Sequence, residues 1–173
     1  MTEHERQATL ASLAKGSTDL LDALDGVTEE LAARSPGPDR WSILQCAEHV
    51  ALAEDYLFSL ISGSKRAETP LMNQQREVLI LARGADRSIK KNCPSYAQPK
   101  GSLSTLREAL EALLASREST IQFVNTNEED LRCRIAVHPI LGTVNCHELL
   151  LLMAVHPVRH AEQIEEIRTA IAG

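Results

Sequence analysis

LLLLMAVHPVRHAEQIEEIRTAI, residues 149–171, is the stretch that decides the fold. Leu149, Leu152, Met153, Ile167 and Ile171 recur at intervals compatible with one helix face, and His156, His160 and Gln163 fall on the same stripe. The pattern predicts a helix beginning near Thr143 or Asn145 and running to Ile171, roughly 40 Å at about 1.5 Å per residue. Arg159, Glu162, Glu165, Glu166 and Arg168 occupy the other face, which puts the histidines on the buried side. Burying two imidazoles and an amide is costly unless partners satisfy them. Histidines at i and i+4 are neighbours, about 5–6 Å apart at Cβ, close enough for both imidazoles to reach one metal ion. The pair alone is a weak signal, because packed or solvated histidines share that spacing. Pro157 removes the N–H that would bond the Met153 carbonyl and should kink the helix, which either aims His156 or spoils its geometry.

The same periodicity extends back to the N-terminus. Leu10, Leu13, Ala14, Leu20, Leu21 and Leu24 mark a first helix that Gly26 ends. Thr28 and two glutamates start a short turn, and Ser35-Pro-Gly-Pro38 forbids helix. Ser42 and Gln45 form a capping box that opens a second helix from Ile43 to Ser62, with Gly63 as its stop. Its stripe is Ile43, Cys46, Ala47, Val50, Ala53 and Leu57, with His49 on the flank and Glu54 nearby. Leu71 to Lys91 reads as a shorter helix and Cys93 to Ser104 as a loop. Leu106, Leu110, Leu113, Ile121 and Val124 give another long helix, ending near Asn125 and Asn127. No run of β-branched residues alternates with polar ones as a strand would, so the pattern is helical throughout. Four long helices, each with one apolar face, predict an all-α four-helix bundle with a short extra helix between the second and third. At 173 residues, a single domain over 1–173 is expected.

Composition narrows the function. The net charge is −6 and there is no basic run, so a nucleic-acid partner is not expected. The longest apolar run, Leu149 to Val155, is far short of the roughly 20 residues of a membrane span. A polar N-terminus, MTEHERQATL, carries no secretory signal, and a cytoplasmic location is expected. Cys46, Cys93, Cys133 and Cys146 have no CxxC spacing and read as free thiols. Across an open bundle core His49 could join His156 and His160. Three neutral imidazoles with a fourth position left to water is the arrangement of a catalytic site rather than a structural one. Arg117, within the stripe of the third long helix, reads either as a clamp for an anionic substrate or as a salt-bridged boundary residue. Glu54 reads as a general base, an acceptor behind a histidine, or a carboxylate reaching out of the bundle edge. Cys46 is a soft ligand or a small buried hydrophobe. His138, beside Pro139 in an expected turn, and His147, on the face opposite His156, read as structural or solvated, and His4 as exposed.

Taken together, Trp41-Ser42, Glu48-His49, His138-Pro-Ile-Leu-Gly142 and His156-x-x-Arg159-His160-x-x-Gln163-Ile164 resemble the DinB-like superfamily over nearly the whole chain. Pro157 departs from that pattern. The resemblance implies a four-helix bundle with a three-histidine metal site, its ligands His49, His156 and His160. Relatives with known activity use a low-molecular-weight thiol, as in mycothiol-dependent isomerases and bacillithiol transferases; others have no established reaction. The expectation is a divalent metal, zinc or nickel, activating a water or a low-molecular-weight thiol against a small-molecule substrate. Gln163, Glu54 and Arg117 would stand behind the metal or against the substrate. The competing reading is a non-catalytic metal- or ligand-binding bundle that acts as a homodimer, motivated by the all-round apolar run Leu149 to Val155.

Overall fold

A computed structural model describes residues 1–88 and 92–172. Its helices are α1 (Glu3–Leu24), α2 (Glu29–Ala33), α3 (Ile43–Ser62), α4 (Gln74–Arg83), α5 (Leu106–Thr126) and α6 (Cys146–Ala172). Each long helix opens on a side chain that satisfies donors of its first turn. Thr2 and Glu5, Ser42 and Gln45, and Thr105 and Glu108 form capping boxes at α1, α3 and α5. Before α6 the same exchange joins Asn145 and Glu148: the Glu148 N–H donates to Asn145 Oδ1 at 2.8 Å, and the Asn145 N–H to Glu148 Oε2 at 2.9 Å. Arg76 of α4 pairs with the buried Glu148 at 2.6 Å and ties α4 to the start of α6.

The long helices close a ring in which α1 packs on α6, α6 on α3, α3 on α5, and α5 back on α1. Two apolar clusters fill it. One holds Leu20, Ile43, Val50, Leu113 and Ile164; the other holds Leu13, Leu57, Val124, Leu149 and Met153. The division falls at one level on every helix: between Leu13 and Leu20, Ala51 and Leu57, Leu113 and Val124, Ala154 and Ala161. The histidines of α6 lie at that level. Among the described residues no helix is long and apolar enough to cross a membrane.

Four sequence expectations need correction. A small antiparallel sheet is present, β1 (Lys65–Arg66), β2 (Arg134–His138) and β3 (Gly142–Asn145), so Thr143 belongs to a strand and α6 starts at Cys146. Its strands are too short to show a period, and Gly142 reverses the chain with φ +69°, a conformation natural to glycine. The short helix expected over Leu71–Lys91 is confined to Gln74–Arg83; residues 89–91 lie outside the described residues. Arg159 is buried rather than on the solvated face. Finally, much of the apolar run needs no second copy to cover it. Leu149, Leu150, Met153 and Ala154 pack against Leu13 of α1, Leu57 of α3 and Val124 of α5.

Close approach of α1 to α6 depends on Gly16, where an added Cβ would stand 2.4 Å from the Ala154 carbonyl oxygen. Gly16→Ala is therefore expected to destabilise the chain by about 1–3 kcal/mol, the range for overpacking. Urea denaturation checks it; an unchanged midpoint would mean that the two helices are not in this contact.

Candidate metal centre

Three imidazoles meet where the two apolar clusters part. His49 comes from α3, and His156 and His160 from successive turns of α6. Nε2 of His156 stands 3.1 Å from Nε2 of His49 and 3.1 Å from Nε2 of His160. One ligand atom from each of the three lies within 4.8 Å of the other two. This is the only such group of metal-ligating side chains among the described residues.

The hydrogen-bond pattern fixes part of the protonation. Nδ1 of His49 lies 2.7 Å from the Ala97 carbonyl oxygen, which can only accept, so Nδ1 carries the proton and Nε2 presents a bare lone pair. A proton on His156 Nε2 could satisfy one neighbour, not both; without one, two lone pairs face each other at 3.1 Å. A cation satisfies all three nitrogens at once. The spacing suits one, since imidazole nitrogens bound at 2.0–2.1 Å to a tetrahedral zinc lie about 3.3 Å apart. Burial, followed by the neighbouring His156 and His49, holds His160 well below the ordinary imidazole range. Burial also lowers His49, against the opposing pull of the Ala97 carbonyl. Both rings are thus neutral at pH 7, the form a metal ligand requires. The donor set fits a borderline divalent ion.

The loop across the site is tied down by Glu48, the residue before His49. Its buried carboxylate accepts the N–H groups of Lys100, Gly101, Ser102 and Leu103 and the Ser102 hydroxyl at 2.6–3.4 Å. Burial pushes this carboxyl up, but those bonds leave it below its usual value. The loop in turn brings the Ala97 carbonyl to His49 and sets Cys93 Sγ 3.4 Å from His49 Nδ1. On the other flank the Trp41 ring lies 5.0 Å from the His49 ring, centre to centre. A cavity of about 430 Å³ opens onto the three imidazoles, with walls that include Trp41, Leu57, Tyr96, His138 and Leu152.

Of the other residues singled out in the sequence, Gln163 lines this cavity, its Oε1 accepting from Arg87 Nη1 at 2.9 Å. Glu54 and Arg117 do not line it. They pair with each other, Nη2 donating to Oε2 at 3.0 Å, and both are buried, so Arg117 is no substrate clamp and Glu54 no carboxylate at the bundle edge. Cys46 is a core residue, its thiol pushed up to about 12 by burial. His138 closes the β2–β3 turn, Nδ1 accepting from the N–H groups of Ile140 and Leu141, with Nε2 3.1 Å from the Tyr96 hydroxyl. His147 is buried beside Glu77 and Arg132, and His4 is exposed. Sequence reasoning missed Ala97, Tyr96 and Cys93, all in a loop without periodicity. Glu48 was visible as part of a motif, but nothing in the sequence showed that it anchors the loop.

A family model described as the DinB superfamily matches residues 12–164. Three solved structures share the fold. TT2238, described as a four-helix bundle protein, is 20% identical over 93% of this chain and 98% of its own, with a TM-score of 0.59. YfiT from Bacillus subtilis, described as a probable metal-dependent hydrolase with an unusual four-helix bundle topology, is 15% identical over 99% and 90%, with a TM-score of 0.64. A conserved protein from Enterococcus faecalis is 19% identical over 100% and 99%, with a TM-score of 0.66. No curated protein matches the chain.

Lowered imidazoles have a signed consequence for the metal-free chain. A group whose value falls on folding contributes stability above its unfolded value, near 6.5 for histidine, and loses it as pH falls below that. Urea denaturation of chelator-treated protein should show stability falling between pH 7.5 and 5.5, and less so for His160→Gln. Equal pH slopes in the two proteins would mean that His160 is not held neutral by the fold.

Proposed function

The chain belongs to the DinB superfamily, and from that premise we propose that it is a metal-dependent enzyme acting on a small molecule, as a hydrolase or a low-molecular-weight-thiol transferase. The observation that carries this reading is the convergence of three imidazole Nε2 atoms, from His49, His156 and His160, at the floor of a cavity. These residues would hold a divalent ion, zinc or nickel. When bound, such an ion supplies Lewis acidity that makes water or a thiol a nucleophile near neutral pH. The description of YfiT as a probable metal-dependent hydrolase supports the hydrolytic branch by analogy of fold.

The chain's own residues would do the rest. The Ala97 carbonyl holds the His49 tautomer and aims its free lone pair into the cluster. Trp41 covers one side of that ring, and Leu57 and Leu152 give the cavity an apolar wall that excludes water from part of a small substrate. Gln163, oriented by Arg87, offers its amide N–H groups to a polar substrate group, in keeping with a role beside the substrate. In this reading residues 1–173 act as a single cytoplasmic domain.

Elemental analysis of protein purified without an affinity tag or chelator should give close to one metal per chain, lost in His156→Ala. No metal in the parent, even after incubation with zinc and nickel, would overturn the reading. Consumption of a test electrophile should vanish on metal removal. Dependence on added low-molecular-weight thiol selects transfer, and turnover without thiol selects hydrolysis.

A further inference from the structure

Pro157 leaves the Met153 carbonyl without its helical donor, and the structure supplies one from another helix. Arg117 of α5 donates from Nη2 to the Met153 oxygen at 3.0 Å and from Nη1 to the Leu13 oxygen of α1 at 3.0 Å. Its Nε lies 2.8 Å from Glu54 Oε1 of α3, out of line for a good hydrogen bond, while Nη2 also donates to Glu54 Oε2. One guanidinium therefore joins α5 to each of the other three long helices. The two side chains are 4% and 2% exposed, so no water or substrate competes for them.

Stability alone is a poor account of such a pair, because a buried ion pair can often be replaced by apolar residues without loss. Its location is more informative. The Met153 carbonyl is one turn before His156, next to the proline, and Glu54 follows His49 by little more than one turn on α3. We propose that Arg117 and Glu54, acting with Pro157, are positioning residues for the three-histidine centre. The inference rests on the metal reading and deepens it. A regular helix would spend the N–H of residue 157 on the Met153 carbonyl and hold His156 by its own ladder. Here that turn is held sideways by α5, and the same guanidinium grips the helix that carries His49. The separation of ligands from two different helices is thereby set by one rigid planar group.

The test compares the wild type with Pro157→Ala and with the double variant Arg117→Met/Glu54→Leu, which removes both charges together and leaves neither unpaired. Zinc affinity is measured by chelator competition, site geometry by the visible spectrum of bound cobalt(II), and stability by thermal unfolding of the metal-free chain. Both variants should bind zinc roughly 10–100-fold more weakly, the usual effect of losing a group that orients ligands, with an altered cobalt spectrum. Metal-free Pro157→Ala should unfold no earlier than the wild type, since it regains a helical hydrogen bond. A merely structural role would move the melting temperature and leave affinity and spectrum alone, and that result overturns the proposal. If the double variant does not fold, Pro157→Ala decides by itself: wild-type affinity and spectrum refute the proposal. A wild type that binds neither ion refutes the metal reading, and this inference falls with it.

Discussion

A helix can omit one backbone hydrogen bond cheaply only if something else takes the orphaned carbonyl, and the core of this bundle is organised around one such omission. Pro157 lies inside the longest helix, at the level where the core is least apolar. The carbonyl it frees at Met153 is buried, so water cannot reach it, and the donor must be protein. Arg117 is that donor. Its charge then requires a counterion in the same low-dielectric space, and Glu54 provides it. Burial opposes ionisation of this carboxyl strongly enough to raise it to about 7 against the attraction of Arg117. The group is held in place by its partner and not by solvation.

One consequence is a core of two apolar halves with a polar floor between them. Gly16, Glu54, Arg117 and Pro157 all lie at that floor, one on each long helix. Each is a poor choice for an ordinary core position, and each is explained by the others. Gly16 lets α1 approach the proline turn, where any Cβ would meet the Ala154 carbonyl. The imidazoles lie at the same level on the cavity side, while Glu54 and Arg117 are sealed from the cavity inside the bundle.

That arrangement explains what was legible in the sequence. Helical periodicity exposed the four long helices, the limits of α3 and the histidines of α6, because a polar residue in an apolar stripe is conspicuous. Periodicity also brought Glu54 and Arg117 to notice but could not pair them, since their partnership depends on how α3 and α5 pack. Backbone carbonyls carry no sequence signature at all. The acceptors at Met153, Leu13 and Ala97, which decide the roles of Arg117 and His49, were therefore invisible. The strand that ends at His138 and its partner β3 were missed for a different reason: four or five residues at the end of a bundle show no clear alternation. His156 is placed by its motif and spacing, but what takes up the carbonyl that Pro157 frees depends on how the helices pack, and that donor is Arg117.

The three-histidine group and the walls around it have separate supports. The imidazoles stand on α3 and α6, whose relative position is held by packed helices and by one guanidinium. Much of the wall comes from elsewhere: Trp41 from the segment before α3, Tyr96 and Cys93 from the loop that Glu48 anchors, and Ile140 and Leu141 from the β2–β3 turn. His138 ties two of those pieces together, bonding the turn's own N–H groups through one nitrogen and meeting Tyr96 with the other. Substitution in the loop or turn can therefore reshape the cavity without moving the bundle that holds the imidazoles. Substitution in the polar floor acts the other way, shifting the imidazoles under walls that stay in place. A rigid helical platform below adaptable loops is a common physical solution for sites that keep one chemistry while varying the molecule it is applied to. In this chain the boundary between the two runs through His49, whose backbone belongs to the platform and whose proton is assigned by the loop.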